Sequence, residues 1–179
     1  KEEILVKRLE VLPLCSENLS QFKTDMQEAF QAGAECVFGK QEEILPEQDI
    51  NESLQAEGAI AYQAVLQGKL VGGAIVVVDE KSQKNHLDFL YVKNGMQGQG
   101  IGQKIWEALE KQYPDTLLWE TCTPYFDQRN IHFYINCCGF HAVEFYHTFH
   151  PDPNLPKSLK MNDQESLFRF EKRKSKSEK

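Results

Sequence analysis

The segment from His86 to Gly102, HLDFLYVKNGMQGQGIG, limits what this chain can fold into more than any other part of it. Its apolar residues Leu87–Val92 predict a buried strand, and Asn94-Gly95 predicts a turn directly after that strand. A glycine-rich stretch follows, and the pattern QKIWEALEKQY then predicts a helix that ends before Pro114. A glycine-rich turn at a helix N-terminus offers backbone N–H groups and the positive end of the helix dipole to an anion. The segment therefore indicates a ligand that carries phosphate.

The spacing of the glycines separates three kinds of phosphate-binding turn. A Walker P-loop needs Lys and then Ser or Thr after its last glycine, but Gln103 follows Gly102. A dinucleotide-binding turn needs GxGxxG, and Gly98, Gly100 and Gly102 have the wrong spacing for its third glycine. The pattern that fits is QxxGxG, with Gln97, Gly100 and Gly102 in register. A tight connection that binds no ligand also stays open on this evidence.

Hydrophobic periodicity and turn residues predict a single α/β or α+β domain with a mixed sheet. The predicted strands are 4–10, 59–66, 69–78, 87–92, 116–122, 140–147 and 166–171. The predicted helices are 16–34 with Gly33 as its stop, 47–56, 103–113, and one that Asp127 caps and Gly139 ends. We assign residues 1–172 to one domain and the basic residues 173–179 to a flexible tail.

Composition and charge argue against several classes of function. No apolar run is long enough to cross a membrane, and the first residues, KEEILVKRLE, lack the apolar segment of a signal peptide. A net charge of -7 argues against a nucleic-acid partner and is compatible with a cationic substrate. Five cysteines, an odd number without a CxxC pair, predict a reduced, cytoplasmic protein without a zinc site. The oligomeric state is left open, and a homodimer is compatible with the sequence.

Two motifs together resemble the GNAT superfamily of acetyl-CoA-dependent N-acetyltransferases. The first is the strand residues Leu90–Val92 with the QxxGxG turn, and the second is N-x-x-x-Y-x-x-x-x-G-F, from Asn130 to Phe140. Where the family usually has Pro after the strand, this chain has Asn94. The resemblance implies a mixed, mostly antiparallel central sheet of about seven strands, flanked by helices and with splayed central strands. It also implies transfer of an acetyl group to a primary amine, and the acidic balance favours a small cationic one.

The resemblance assigns a role to each motif residue. Backbone N–H groups would bind the pyrophosphate of coenzyme A, and they belong to Gly98, Gln99, Gly100, Ile101, Gly102 and Gln103, with Gln97 closing the turn. The backbone of Leu90, Tyr91 and Val92 would pair with the pantetheine arm, and Asn130 would bond the arm from the far side. Tyr134 would act as the acid that protonates the departing thiolate.

The general base stays open among several groups. A base or a water chain is needed because aliphatic amines titrate near the lysine value of about 10.4 and arrive charged. His86 and Asp88 share one face of the predicted strand, and Glu120 lies on the neighbouring strand. Histidine, with an ordinary pKa of about 6.5, suits a base at neutral pH.

Direct transfer in a ternary complex is the expected route. Cys122 would suit a covalent route, but no partner histidine for it can be identified from the sequence. Two alternative functions stay open: acetylation of a protein N-terminus or lysine, and a non-catalytic module that binds acyl-CoA.

Overall fold

Apolar and alternating segments of the sequence form a seven-stranded sheet in the computed structural model, which describes residues 8–154 and 165–175. The strands are β1 (Leu9–Pro13), β2 (Ala59–Leu66), β3 (Lys69–Val77), β4 (Lys84–Val92), β5 (Leu118–Pro124), β6 (His141–Tyr146) and β7 (Leu167–Arg173). The helices are α1 (Leu19–Phe38), α2 (Glu47–Gln55), α3 (Ile101–Gln112) and α4 (Gln128–His132).

The strand order in the sheet is β1-β2-β3-β4-β5-β7-β6. The pairings β1–β2, β2–β3, β5–β7 and β6–β7 are antiparallel, and β4 runs parallel to β5. This confirms the predicted mixed, mostly antiparallel sheet. No helix in the described part of the chain is long and apolar enough to span a membrane.

The chain divides into two compact units, which are described separately below. The first contains Lys1–Val77 and Phe89–Pro114, and the second contains Val78–Asp88 and Asp115–Lys179.

Paired glycines on β3 let helices approach the first unit's strands closely. A Cβ at Gly73 would lie 2.5 Å from Cε2 of Phe22 on α1. A Cβ at Gly72 would lie 2.6 Å from the carbonyl oxygen of Tyr91 and 3.1 Å from Cδ1 of Ile105 on α3. Because neighbouring strand residues point to opposite faces, the two glycines accommodate one helix each. A buried cluster then forms under α1, and it contains Phe22, Met26, Leu45, Ile50, Ile75 and Tyr91.

Two predicted boundaries in the first unit differ from the structure. The predicted stop at Gly33 is wrong, because α1 continues to Phe38 and ends at Gly39, which has a φ of +74°. At Gly39 the chain leaves the helical conformation, whereas a glycine in helical conformation only weakens a helix. The first strand runs over Leu9–Pro13, because its pairing with β2 continues to Pro13. Residues 4–7 of the predicted strand lie outside the described residues.

In the second unit, several strands begin or end two or three residues away from the bounds that the sequence predicted, because strand pairing sets their ends. Lys84–His86 pair with Leu118–Glu120, so β4 begins before the predicted Leu87. Pairing of Leu118 with Arg173 carries β7 one residue into the predicted tail. In the described structure the β4–β5 ladder ends at His86 and Glu120, and the hydroxyl of Thr121 then donates to the carbonyl of Leu87 at 2.9 Å.

The predicted helix after Asp127 is short and changes type. Asp127 caps it as predicted, since its Oδ1 accepts from the N–H of Asn130 at 3.0 Å. After α4 the chain forms a wider, π-helical turn over Phe133–Cys137, in which the N–H of Cys138 donates to Phe133 at 3.0 Å. Gly139, with a φ of +80°, ends the segment as predicted.

Candidate active site

The side chain of Gln97 closes the turn that follows β4. Its Oε1 accepts from the N–H of Gly95 at 2.9 Å, and its Nε2 donates to Oδ1 of Asn94 at 3.1 Å. Asn94 in turn donates to the carbonyl of Glu28 on α1 at 3.1 Å. Side-chain hydrogen bonds therefore hold the strand side of the turn, and the described residues form none on its helix side.

The helix side of the turn depends on two left-handed glycines. Gly98 has a φ of +80° and Gly100, which directly precedes α3, has a φ of +75°. A Cβ on either would meet no atom of the described residues within 4 Å. The positive φ angles favour glycine at both positions. The open space beside the backbone also lets a ligand approach it closely.

The N–H groups of this turn have no partner within the described structure. None of those from Gly98 to Gln103 donates to an acceptor there, and the first helical bond runs from Lys104 to the carbonyl of Gly100 at 3.1 Å. Unpartnered N–H groups at the start of a helix, together with the helix dipole, form a binding site for an anion. The turn can therefore accommodate an anionic group such as a phosphate.

The strand residues before the turn alternate in exposure. Tyr91 is 3% exposed, and its ring packs edge-on against Phe22 with centroids 5.4 Å apart. Leu90 and Val92 are half-buried.

In the second unit, one face of the sheet is polar. His86 and Glu120 are register partners, so Asp88 and Cys122 follow them on the same face. Nδ1 of His86 lies 2.6 Å from Oδ1 of Asp88. Burial alone would lower the pKa of His86, but hydrogen bonds with Asp88 and with the sulfur of Cys122 raise it to about 9. His86 is therefore protonated at neutral pH.

Glu120 belongs to an ion-pair network on the same face. Its Oε1 lies 3.1 Å from Nη1 of Arg169, which is also 2.7 Å from Oε1 of Glu171. Nη2 of Arg169 is 3.3 Å from Glu144. The sequence did not single out Arg169. Arg169 lies on β7, and only its pairing with Cys122 on β5 places it on this polar face.

Tyr134 lies on the apolar side of the second unit. It is 5% exposed, and its ring packs against Phe140 and Phe170 with centroids 5.6 and 6.0 Å away. Burial raises its pKa well above the ordinary range for tyrosine, so the phenol is protonated at neutral pH. Its hydroxyl is hydrogen-bonded to Thr121, which itself donates to the carbonyl of Leu87.

Asn130 is bonded within its own helix. Its Nδ2 donates to Oδ2 of Asp127 at 2.8 Å, in addition to the capping bond of its backbone. Among the described residues no three His, Cys, Asp or Glu side chains are grouped closely enough to hold a metal ion.

The placement of His86 and Cys122 on one face of the sheet is the feature that the sequence could not show. Alternation along each strand places both side chains on a defined face once the register is known. The register depends on the pairing of β4 with β5, which no local signal in either strand determines.

Comparison with known proteins gives a consistent answer. A model of the acetyltransferase (GNAT) family matches residues 22–140. The Bacillus subtilis (strain 168) protein named "Uncharacterized protein YrkN" is 43% identical over 170 residues, which cover 90% of this chain and 92% of that protein. The ribosomal-protein-S18-alanine N-acetyltransferase of Escherichia coli matches with a TM-score of 0.70 at 16% identity, over 96% of this chain and 97% of that one.

A further solved structure shows the same fold with ligands bound. It is the spermidine N-acetyltransferase of Vibrio cholerae in complex with CoA and spermine, with a TM-score of 0.67 at 12% identity, over 94% of this chain and 96% of that one. The family match covers more than half of the chain, and it includes the glycine-rich turn and both ends of the second motif. This chain therefore belongs to the GNAT family of acetyltransferases.

Proposed function

We propose that this chain transfers the acetyl group of acetyl-CoA to a primary amine, directly, within a ternary complex. The turn at the start of α3 carries the proposal, because its N–H groups are unpartnered in the described structure and suit a pyrophosphate. Acetyl-CoA supplies the activated thioester carbonyl. The chain's own residues must then bind it, orient it and move two protons.

Binding would rest mainly on backbone groups. The N–H groups of Gly98–Gln103 would donate to the pyrophosphate, and the backbone of Leu90–Val92 would pair with the amides of pantetheine. Within the described residues no hydrogen bond engages the side-chain carbonyl oxygen of Asn130, while its amide nitrogen bonds to Asp127. We assign that oxygen to an N–H group of the pantetheine arm.

Tyr134 would serve as the acid. Its burial keeps the phenol protonated at neutral pH, as a proton donor to the departing thiolate requires. Because Thr121 donates its own proton to Leu87, the proton of Tyr134 is directed at the Thr121 oxygen. To protonate the thiolate, the hydroxyl of Tyr134 would therefore have to give up its hydrogen bond to Thr121 and form one to the sulfur.

A water chain is favoured as the first acceptor of the amine's proton. His86 already carries a proton below about pH 9, and Glu120 is engaged with Arg169 at 3.1 Å. Asp88 is bonded to His86. Asp88 and Glu120 can still end the chain of waters, whereas His86 can do so only above about pH 9, where its ring is neutral. Single Ala variants at the three positions test this by their pH–rate profiles, and an acidic limb that moves in one of them identifies that residue as the base.

The acceptor is proposed to be a small cationic amine. The net charge of -7 favours a cation over an anion. Crystallisation of the Vibrio cholerae relative with spermine supports the same class. The Escherichia coli relative, named for a ribosomal-protein alanine, supports a protein N-terminus as the second candidate.

The decisive experiment measures coenzyme A release from acetyl-CoA by chromatography with a panel of acceptors. The panel contains spermine, a diamine, a peptide with an N-terminal alanine, and a lysine peptide with a blocked N-terminus. We expect release that depends on the amine and is fastest with the polyamine. Release that is fastest with a peptide would instead identify a protein acceptor.

Thermal unfolding with and without acetyl-CoA separates an enzyme from a binding module. Acetyl-CoA that binds the folded state raises the melting temperature whether or not transfer follows. Protection without release on any amine would favour a non-catalytic acyl-CoA-binding protein. If acetyl-CoA gave no protection and no amine led to release of coenzyme A, the proposal would be overturned.

A further inference from the structure

We infer that Arg169 is a positioning residue for acetyl transfer, and that it holds Glu120 in place as the carboxylate that receives the amine's proton through water. The inference rests on the proposed function and narrows it, because it selects Glu120 over Asp88 as the end of the chain of waters. Three ion pairs on one face of the second unit carry it.

Two glutamates lie directly opposite each other where β5 pairs with β7. Glu120 and Glu171 are register partners, so their side chains share one face of the sheet. Burial alone would raise the pKa of Glu171, but hydrogen bonds with Arg169 and Arg173 hold it below the ordinary value for glutamate. Glu171 is therefore charged at neutral pH and repels the carboxylate of Glu120.

Arg169 lies two residues from Glu171 on the same face and contacts both glutamates with one nitrogen. Its Nη1 is 3.1 Å from Oε1 of Glu120 and 2.7 Å from Oε1 of Glu171. Its Nη2 is 3.3 Å from Oε2 of Glu144 on β6, which fixes the other side of the guanidinium. Because a guanidinium is planar and its donors form a rigid fork, these contacts define the direction in which Glu120 points.

The two carboxylate oxygens of Glu120 differ in their contacts. Oε1 accepts from Arg169, whereas no hydrogen bond in the described part of the chain engages Oε2. The side chain is 35% exposed, so water reaches it. The proton that leaves the amine nitrogen passes along the waters to Oε2, and the freed lone pair of the nitrogen then attacks the thioester carbonyl.

Asp88 is held more tightly in its charged form. Its Oδ1 lies 2.6 Å from Nδ1 of His86, which is protonated at neutral pH, and its side chain is only 22% exposed. A carboxylate that takes a proton gives up such a short, charge-assisted contact. Arg169 also pairs with Glu120, but its charge is shared with two other carboxylates, so protonation of Glu120 costs less.

The test is a double-mutant cycle that measures coenzyme A release with the fastest amine of the panel in excess. We expect kcat to fall about 100-fold in Glu120→Gln and about 20-fold in Arg169→Met, with the KM for acetyl-CoA unchanged in both. The double variant should be no slower than Glu120→Gln, because Arg169 acts through Glu120. Losses that multiply in the double variant, or an unchanged kcat in either single variant, would overturn the inference.

Arg173→Met is the matched control. Arg173 lies on the same face of β7, and its Nη2 is 2.9 Å from Oε2 of Glu171, but among the described residues it forms no ion pair with Glu120. Its kcat should stay within about twofold of that of the unchanged chain. A loss as large as that of Arg169→Met would contradict the inference, because any cation on β7 would then have the same effect.

Arg169→Lys keeps the charge without the fork, so its kcat should fall only about fivefold and lie above that of Arg169→Met. If Arg169→Met does not fold, the cycle is run with Arg169→Lys, whose effect should also vanish in the Glu120→Gln background. If the unchanged chain releases no coenzyme A with any amine, the proposed function fails and this inference with it. Release by the unchanged chain, together with independent effects at the two positions, would overturn this inference alone.

Discussion

The glycine-rich turn and the Tyr134 segment both match family motifs, yet they hold their functional groups in opposite ways. Residues 98–100 of the turn are exposed, and the groups that would meet a ligand are backbone N–H groups without a partner in the described structure. Tyr134 is 5% exposed, and its hydroxyl already has a partner in Thr121. Its ring is enclosed by Phe140 and Phe170.

The difference shows what each kind of motif encodes. A backbone site depends on φ angles, and the spacing of Gly98 and Gly100 encodes those angles locally. A side-chain site depends on its surroundings, which for Tyr134 come from β5 and β7. The turn can therefore meet an anion as it stands, whereas Tyr134, in its proposed role as the acid, would have to exchange a hydrogen bond before donating a proton.

The largest expected effect tests Tyr134. Tyr134→Phe keeps the ring packing and removes the proton donor, so we expect kcat to fall by about 100-fold with the affinity for coenzyme A unchanged. Steady-state kinetics at several pH values and calorimetric titration with coenzyme A provide the two numbers. Thr121→Val is the control, because it removes the partner of the phenol and keeps the phenol itself. Turnover that is unchanged at every pH in Tyr134→Phe would show that the hydroxyl only stabilises the core.

The second effect tests the turn. Gly100→Ala should lower the affinity for coenzyme A by about tenfold, because a Cβ enters the space beside the N–H groups. Gly68→Ala is the matched control, since Gly68 in the β2–β3 turn has the same φ of +75° as Gly100 and open space around a Cβ. Each variant should lose about 1 kcal/mol of stability through the strain of a left-handed alanine. Equal loss of affinity in both variants would mean that the turn acts only through general stability.

The third effect concerns pH and the polar face of the second unit. The pKa of His86 is about 9 in the folded state, above its value of about 6.5 in the unfolded chain. Its contribution to stability is therefore full below about pH 6.5 and is lost as the pH rises through about 9. Because the side chain is 38% exposed, we expect only about 1 kcal/mol.

Urea unfolding of the unchanged chain and Asp88→Asn measures this contribution at pH 6, 8 and 10. The difference in the free energy of unfolding should be largest at pH 6 and should disappear by pH 10. Gly100→Ala serves as the reference, because its strain carries no charge and its cost should not vary with pH. A constant difference for Asp88→Asn would exclude His86 as the titrating group.

The smallest effect contrasts two buried tyrosines. The hydroxyl of Tyr91 is buried without a hydrogen-bond partner in the described structure, whereas that of Tyr134 is bonded to Thr121. Tyr91→Phe should therefore stabilise the protein by about 0.5 kcal/mol, and Tyr134→Phe should destabilise it by about 1 kcal/mol. Chemical unfolding of both variants measures the two shifts. Shifts of the same sign would mean that the two hydroxyls are equally well satisfied.

Local signals predicted several elements well. Gln67-Gly68 predicts the β2–β3 hairpin, and both residues have a positive φ, as a two-residue hairpin turn requires. The cap at Asp127 and the stop at Gly139 are confirmed by a hydrogen bond and a backbone angle within a few residues of each. Gly33 shows the limit of such reasoning, because a glycine ends a helix only when the chain leaves the helical conformation there.

The sequence by itself determined the order of strands and helices, the glycine-rich turn and the family. These features depend on hydrophobic periodicity and on glycine spacing, which act over a few residues. Only the tertiary structure decided the partners of His86, the ion pairs of Glu120 and the burial of Tyr134. Each of these depends on strand register and on contacts between segments far apart in the chain, and register follows from the pairing of whole strands. For this reason the glycine-rich turn can be recognised from one short motif, whereas the surroundings of His86, Glu120 and Tyr134 are visible only in the folded sheet.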